Sequence, residues 1–389
     1  MRKRTALFLL ALSFTSFGTL CALRGAPMAD LLVYRAEGAA VAHGTDLYGF
    51  TVTKWHLPAT YPPFAAILFV PAVWLPLPVL KAAFLAGNAL LLAVLVALSA
   101  RLASRPLPPA PLCAATAAAL WLEPVFQTLL FGQINLAVAC LVLWDLTRPA
   151  GARARGLALG LATGIKLTPA LFVVHLIVRG RKREAATAAA GCLATVLLGF
   201  LLLPAASTDF WTRRLYETGR VGKAWIVDNQ SLRGLIARAL HDPAPGPAWA
   251  LPAAAVAVTG LVLAGRARQE SHAVLLTAFT ALLICPISWT HHWVWCVPLL
   301  AVLLAEGRTR TAALAALVFT ARTIWLVPHE GALDLELPWW QQPLAAAYPL
   351  LPLGLLLSYD SMISRCPTLS TEQTGKPVCP SRRFRSARR

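Results

Sequence analysis

Residues 82–100 read AAFLAGNALLLAVLVALSA, an uninterrupted stretch without a charged side chain. As a helix this stretch is about 28 Å long, which matches the ~30 Å hydrocarbon core of a bilayer. The whole chain has the same character, with 58% hydrophobic and only 13% charged residues and a mean hydropathy of +0.63. Soluble domains do not reach these values. The sequence therefore predicts an integral membrane protein that is helical throughout.

Similar apolar runs recur along the chain and predict about 11 to 13 membrane segments. They lie near residues 5–23, 82–100, 108–122, 134–146, 186–203, 249–264, 273–288, 293–305, 311–327 and 344–358. Segment 62–78 is broken by prolines, and segment 156–178 is expected to be a hairpin of two short helices. Residues 5–23 follow a basic start but precede no convincing small-residue cleavage site, so they are expected to remain as an anchor.

Arginine and lysine between the runs predict the orientation, because cytoplasmic loops collect positive charge. The basic groups expected inside are residues 2–4, 101–105, 148–155, 179–183, 266–268, 308–310 and the C-terminal tail. The loops expected outside are 24–60, 124–133, 205–248, 289–292 and 328–342. This parity requires 62–78 and 82–100 together to make one net crossing, with one of them re-entrant, or Arg101 and Arg105 to be external.

The net charge of +18 does not indicate a nucleic-acid partner, since the positive residues are concentrated in the expected cytoplasmic loops. Residues 1–358 are expected to form one membrane domain, and residues 359–389 a basic, disordered cytoplasmic tail. Eight cysteines are scattered without a Cys-x-x-Cys pair, so neither a disulfide framework nor a zinc site is indicated.

The first external loop contains the most informative carboxylate. Asp30, Tyr34 and Glu37 are spaced by four and three residues, which places them on one face of a helix. A carboxylate at the membrane surface suits a general base acting on a sugar hydroxyl. The alternative, which the spacing alone favours, is an amphipathic connector in which Asp30 caps the helix.

Two further segments carry polar side chains into apolar surroundings. Gln133 and Asn135 lie at the ends of two runs, where amides either bind a sugar or join helices by hydrogen bonds. Lys166 lies at the bend of the short hairpin. A lysine at membrane depth is costly and indicates a functional position, here neutralisation of a phosphate, although its amine can instead extend to the interface.

The long external loop 205–248 is basic, on the face where positive charge is not expected. Its six basic residues are Arg213, Arg214, Arg220, Lys223, Arg233 and Arg238. Arginine suits bidentate phosphate recognition. At a later run end, His291 and His292 lie between tryptophans. Adjacent histidines on a helix point in different directions, which argues against zinc and favours donation to a phosphate or sugar oxygen. A Trp/His belt at the membrane interface is the structural alternative.

Seven short motifs occur in one order: Asp30-x-x-Val-Tyr34, Gly44-x-x-Leu-Tyr48, Tyr61-Pro-Pro, Gly132-Gln-x-Asn135, Lys166-Leu-Thr-Pro, Asn229-Gln230-Ser-Leu and Pro286-x-Ser-Trp-x-His-His292. This order, over residues 25–300, resembles glycosyltransferase family 87, the polyprenol-phosphate-mannose-dependent α-(1→2)-mannosyltransferases. The resemblance implies a GT-C membrane fold with external catalytic loops and a cavity open to the outer leaflet.

The resemblance also implies roles for single residues. Asp30 corresponds to the catalytic base, His291 or His292 to the histidine near the donor phosphate, and Asn229 and Gln230 to the long-loop motif. The other residues expected to bind the donor or substrate are Tyr34, Tyr48, Tyr61, Gln133, Asn135, Lys166 and Arg238. No cofactor is implied, and because Asp30 lacks an adjacent acidic partner we assign no metal.

The expected reaction is transfer of mannose, with inversion, from a polyprenyl-phosphate sugar to a glycolipid or glycan acceptor at the external face of the plasma membrane. Two alternatives remain open at this point. Some relatives resemble arabinofuranosyltransferases that use a decaprenyl-phosphate pentose. A transporter or flippase is also polytopic, but would place its polar residues near the midplane and often has internal repeats.

Overall fold

The computed structural model describes residues 2–329 and 331–364. It is built from α-helices and one two-stranded antiparallel ribbon, β1 (Thr51–Val52) with β2 (Leu57–Pro58). The helices are α1 (Lys3–Arg24), α2 (Ala29–His43), α3 (Pro63–Phe69), α4 (Leu77–Leu102), α5 (Pro109–Ala119), α6 (Glu123–Phe131), α7 (Asn135–Leu146), α8 (Leu157–Ile165), α9 (Ala170–Val178), α10 (Lys182–Leu202), α11 (Pro204–Asp209), α12 (Leu232–Ala239), α13 (Pro247–Arg266), α14 (Glu270–Ile284), α15 (Cys296–Ala305), α16 (Thr309–Thr320), α17 (Gln342–Ala345) and α18 (Ala347–Ser364). The expectation of an all-α membrane protein is confirmed.

By length and composition, four of the described helices can cross a membrane: α1 over Lys3–Leu23, α4, α10 and α13. A fifth span results if α5 and α6, which meet at a bend of 77°, are counted as one. The expected 11 to 13 segments are therefore not reached by this criterion. The other apolar runs fold as shorter helices, among them α7, α14 and α16.

Proline explains the clearest of these differences. Segment 62–78 contains α3, a 3₁₀ turn over Val70–Val73 that includes Pro71, and the start of α4 after Pro76. A proline lacks the amide N–H that an α-helix needs and so ends the regular hydrogen bonding. This segment is too short to cross the hydrocarbon core as a straight helix, whereas α4 is long enough.

The hairpin expected around Lys166 is present as α8 and α9. Helix α8 packs closely on α10, and glycine makes this approach possible. A Cβ atom added to Gly160 would lie 2.3 Å from the backbone oxygen of Ala188, and one added to Gly164 would lie 2.0 Å from the hydroxyl of Thr195. Such small-residue contacts are typical of membrane helices. The close packing fixes the C-terminal end of α8 and so places Lys166.

Two loops that are far apart in the sequence are joined by backbone hydrogen bonds. The segment before α12 and the segment after α14 pair through a β-bridge between Asn229 and Trp289. The backbone N–H of Gln230 donates to the carbonyl of Ser288 at 2.8 Å, and that of Thr290 donates to the carbonyl of Asp228 at 3.0 Å. These bonds join the two segments as one unit.

The last described helix extends beyond residue 358, where the membrane domain was expected to end. Helix α18 continues to Ser364, so it passes the expected domain boundary at residue 358. Residues 365–389 of the expected tail lie outside the described residues.

Candidate active site

A cavity of about 850 Å³ lies where α2, the ribbon and the turns after α6, α8 and α14 meet. Residues of the two long loops 24–60 and 205–248 line it, together with the segment that follows α16. The polar side chains in its wall are Asp30, Tyr34, Thr60, Tyr61, Gln133, Lys166, Thr168, Arg214, Thr218, Arg220, Asp228, His291, His292, His329 and Asp334. A volume of this size accommodates a sugar phosphate and the end of a second substrate.

Asp30 lies in the first turn of α2 and lines the cavity, where it stays partly exposed. The N-cap of α2 is Met28, and no side chain caps the helix, so the alternative role of Asp30 as a cap is not found. Burial raises the pKa of Asp30 to about 6, although a hydrogen bond from Gln133 and the charge of Lys166 lower it and the charge of Asp228 raises it. A carboxylate with that pKa is ionised at neutral pH and still accepts a proton readily.

Gln133 connects Asp30 to two tyrosines. Its side-chain oxygen accepts hydrogen bonds from the hydroxyls of Tyr34 at 2.8 Å and Tyr61 at 3.2 Å. The amide nitrogen of Gln133 is then the group left to donate to Asp30. Tyr34 is held in turn by stacking on Phe69, with ring centroids 4.4 Å apart. The carboxylate of Asp30 is therefore oriented by a packed network.

Lys166 contacts the histidine pair. Its Nζ donates to Oδ1 of Asn135 at 2.8 Å and contacts Nε2 of His292 at 3.1 Å. Because an ammonium group only donates, Nε2 of His292 must accept, which places the ring proton on Nδ1. Lys166 has three N–H donors and these two contacts use two of them. One donor is left for a ligand.

His291 is buried, with 5% of its surface exposed, and neither of its ring nitrogens has a partner among the described residues. Nδ1 of His292 also lacks one in that part of the chain. A buried donor without a partner costs about 1–3 kcal/mol. Because both rings line the cavity, an oxygen-rich ligand would satisfy these nitrogens. The alternative of an interfacial belt does not fit here, since Trp293 is fully buried against Phe279 and Tyr348.

A second carboxylate, Asp228, lines the same cavity. Oδ1 of Asp228 accepts a hydrogen bond from the hydroxyl of Thr290 at 2.6 Å. Burial raises the pKa of Asp228 to about 6, with the hydrogen bond from Thr290 acting in the opposite direction. No role was expected for Asp228 from the sequence.

Arg238 is not in the cavity wall, which corrects its expected contact with a phosphate. The side chain is fully buried, and its guanidinium donates to the carbonyls of Trp225, Ile226, Asn229 and Ala345 at 2.9–3.3 Å. Its charge is therefore used to hold the turn that precedes α12. The sequence shows only that Arg238 belongs to a basic loop. It does not show whether such an arginine donates to backbone carbonyls or faces a ligand.

Four other expected ligand contacts support the wall without lining it. Asn229 and Gln230 are buried and bond to backbone groups, including the carbonyls of Pro286 and Ala345. Asn135 donates to the carbonyl of His291 at 2.8 Å, and Tyr48 to the carbonyl of Tyr61 at 2.9 Å. The amide of Asn135 therefore joins helices, which was the alternative interpretation.

The cavity wall contains cations and aromatic rings to which no individual role was assigned from the sequence. Arg214 and Arg220 contribute positive charge beside Tyr48, with distances of 6.0 Å and 5.5 Å from guanidinium to ring centre. The segment after α16 contributes Trp325, His329 and Asp334. Arg214 and Arg220 were visible as members of the basic loop. No sequence pattern indicated that the segment 325–334 returns to the site.

No group of three or more His, Cys, Asp or Glu side chains suited to a metal ion occurs within residues 2–329 and 331–364.

Comparison with known proteins identifies the family. The model of glycosyltransferase family 87 matches residues 59–288. The chain belongs to glycosyltransferase family 87. This family match begins after Asp30 and ends before His291, so the two outer parts of the site lie beyond it.

Individual family 87 relatives extend further along the chain. It is 34% identical over 355 residues to a polyprenol-phosphate-mannose-dependent α-(1-2)-phosphatidylinositol mannoside mannosyltransferase of Mycobacterium tuberculosis, covering 82% of this chain and 81% of the relative. It is 37% identical over 321 residues to a pentamannoside mannosyltransferase with the same donor from another strain of that species, covering 79% and 73%. A mannosyltransferase of Mycolicibacterium smegmatis is 32% identical over 90% of this chain and 88% of the relative. No solved structure matches.

Proposed function

We propose that this family 87 glycosyltransferase transfers mannose from a polyprenyl-phosphate donor to a hydroxyl of a phosphatidylinositol mannoside, forming an α-(1→2) linkage. The observation that carries the proposal is Asp30, a carboxylate of raised pKa that lines the cavity beside Lys166 and His291. The activities of the relatives support the choice of donor, linkage and acceptor. The pentose donor considered from the sequence has no such support.

The bond changes follow from the positions of the charged groups. The carboxylate of Asp30 takes the proton of the acceptor hydroxyl as the oxygen attacks the anomeric carbon. The bond from that carbon to the phosphate oxygen breaks, and its electron pair leaves with the polyprenyl phosphate. Attack from the face opposite the phosphate inverts the configuration, so a β-linked donor gives an α-linked product.

Stabilisation of the departing phosphate is assigned to cations and donors that line the cavity. Lys166 offers its remaining N–H, and the other donors are the ring nitrogens of His291 and Nδ1 of His292, which have no partner among the described residues. Donors fixed before the reaction stabilise developing charge at no reorganisation cost. Arg214 and Arg220 take the role first expected of Arg238, because they line the cavity and Arg238 does not.

We place the cavity at the external face of the plasma membrane and the C-terminal tail in the cytoplasm. The support is the positive charge of the loop between α7 and α8 and of the turn between α9 and α10, which favours the cytoplasm. Both loops that supply the cavity are on the opposite side in that orientation. A lipid donor would then enter from the outer leaflet.

The test compares donors in membranes that contain the wild-type protein. Labelled polyprenyl-phosphate mannose and polyprenyl-phosphate arabinose are supplied with a phosphatidylinositol mannoside acceptor. We expect mannose incorporation, and linkage analysis of the product should give an α-(1→2) bond. Incorporation of arabinose in place of mannose would overturn the proposal, as would transfer of neither sugar in membranes where the protein is folded.

A further inference from the structure

We infer that Asp228 and Asp334 form the subsite that binds the sugar of the acceptor. This inference rests on the proposed function, because it assigns one substrate of that reaction to one end of the cavity. Both residues line the cavity, and they come from separate segments of the chain. Neither is needed for proton removal or for contact with the leaving phosphate.

Charged groups in and behind the cavity wall are electrostatically coupled to one another. Arg220 interacts with Glu37, and Glu37 interacts with Asp30. Asp30 interacts with Asp228, and Asp228 in turn interacts with Asp334. Asp228 and Asp334 are thus a coupled pair of carboxylates, and we call the part of the wall that they form the acidic end. The charges of Arg238 and His329 compensate part of the charge of Asp334.

These charges act differently on the two substrates. A donor phosphate is attracted to Lys166, Arg214 and Arg220 and is repelled by Asp228 and Asp334. A neutral sugar has no such repulsion, and its hydroxyl hydrogens are matched by carboxylate oxygens, which only accept. The acidic end thus suits an uncharged sugar whose hydroxyl must reach Asp30.

One oxygen of Asp334 has no donor within the described residues. The residue is 1% exposed, and its Oδ1 accepts a hydrogen bond from the backbone N–H of Val227 at 2.7 Å. Its Oδ2 is buried and has no hydrogen-bond partner in the described part of the chain. A buried carboxylate oxygen without a donor is costly, and a bound hydroxyl would remove that cost.

Asp228 is fixed in a way that leaves it accessible. Thr290 holds Oδ1 at 2.6 Å, while the residue as a whole stays partly exposed to the cavity. The ring of Trp325 lines the same end, and its Nε1 donates to Oε1 of Glu123 at 2.5 Å. That bond holds the indole in place. A fixed aromatic face beside two carboxylates is suited to a sugar, which has apolar C–H faces and polar edges.

The test measures binding of the acceptor without the donor. Wild type, Asp228→Asn and Asp334→Asn are reconstituted in lipid discs and titrated with a phosphatidylinositol mannoside and, separately, with phosphatidylinositol lacking mannose. We expect each substitution to weaken binding of the mannoside roughly 10-fold or more, because hydrogen bonds to a charged group are lost. Binding of phosphatidylinositol should not change.

The control is Asp242→Asn, which neutralises an exposed carboxylate of the same long loop outside the cavity wall. This variant should bind the mannoside as wild type does. The inference is overturned if Asp228→Asn and Asp334→Asn also bind as wild type does, or if phosphatidylinositol loses affinity equally.

Transfer kinetics separate this inference from the proposed function. If wild type transfers mannose, the two variants should raise the KM for the acceptor and change the KM for the donor by no more than about twofold. A raised donor KM with an unchanged acceptor KM would place the carboxylates at the donor and overturn the inference. Failure of wild type to transfer mannose would overturn the proposed function, while the binding result would still decide the acceptor subsite.

Discussion

The charge state of Asp30 is set by three neighbours with opposing effects. Burial raises the pKa of Asp30 to about 6, the hydrogen bond from Gln133 and the charge of Lys166 lower it, and the charge of Asp228 raises it. Each neighbour is a single side chain that can be replaced. The base is thereby open to a test in which the direction of each change is known.

We expect kcat/KM to rise with pH through about 6, because Asp30 must be ionised to accept a proton and its pKa is about 6. Lys166→Met removes a nearby positive charge, so it should raise the pKa of Asp30 and move this rise to higher pH. Asp228→Asn removes a nearby negative charge and should move it to lower pH. The measurement is the pH profile of residual transfer in the three proteins, and shifts of the same sign in both variants would contradict the assignment.

Arg238 provides a prediction about stability rather than binding. Arg238→Ala should lower the free energy of unfolding by about 2–4 kcal/mol, because it leaves buried carbonyls without donors. The measurement is the thermal midpoint of the purified protein. Arg213→Ala serves as control, since that arginine of the same loop is 56% exposed and its ion pairs contribute little. A raised donor KM with an unchanged thermal midpoint would restore the phosphate role for Arg238.

Polar residues in apolar surroundings were the best sequence signal for the site. Asp30, Gln133, Lys166 and the two histidines were all singled out in this way, and all line the cavity. Asp334 was not found, because a single aspartate in a polar loop is not unusual in the sequence. Only the folded chain shows that its side chain is buried beside the cavity. Which polar residue faces a ligand and which bonds to the backbone is decided by tertiary contacts.

At the scale of single elements, the contact of α8 with α10 places Lys166. Gly160→Ala brings a Cβ to 2.3 Å from the carbonyl oxygen of Ala188, so the helices must separate. We expect a loss of about 1–3 kcal/mol of stability together with reduced transfer. The measurements are the thermal midpoint and the transfer rate.

Gly87→Ala is the matched control, because a Cβ there meets nothing within 4 Å. Since alanine is the better helix former, this change should be neutral or stabilise the protein by up to about 1 kcal/mol. Equal effects of the two substitutions would show that close packing of α8 on α10 does not position the site.

The composition of the chain predicted correctly that it is helical, but it did not predict the length of each helix. The run 62–78 was recognised as irregular from its prolines, and the structure has a short helix and a 3₁₀ turn there. The run 108–122 was expected to be one span, yet it forms the short helix α5, and the next helix, α6, follows at a bend of 77°. Hydropathy measures how apolar a run is, whereas a bend depends on the contacts that the two halves make.

For the whole molecule, the shared cavity constrains the topology. The loop 24–60 and the loop 205–248 both contribute to one cavity wall, so they must lie on the same side of the membrane. The loop between α7 and α8 is expected on the other side because of its arginines. This arrangement makes a prediction about access from outside the cell.

In a protein whose native cysteines are replaced, Thr45→Cys and Ala244→Cys should react with a membrane-impermeant maleimide in intact cells. Arg153→Cys should react only after the membrane is made permeable. All three positions are exposed. Labelling of Arg153→Cys in intact cells, or protection of either of the other two, would contradict the proposed orientation.

The most direct test of the account is transfer of labelled mannose from polyprenyl-phosphate mannose to a phosphatidylinositol mannoside by Asp30→Asn. The variant keeps the shape of the side chain and removes the base, so its rate should fall at least ~10²-fold while the thermal midpoint is retained. Asp46→Asn, an exposed carboxylate of the same loop outside the cavity wall, should keep the wild-type rate. A rate for Asp30→Asn close to that of wild type would contradict the central claim that Asp30 is the base.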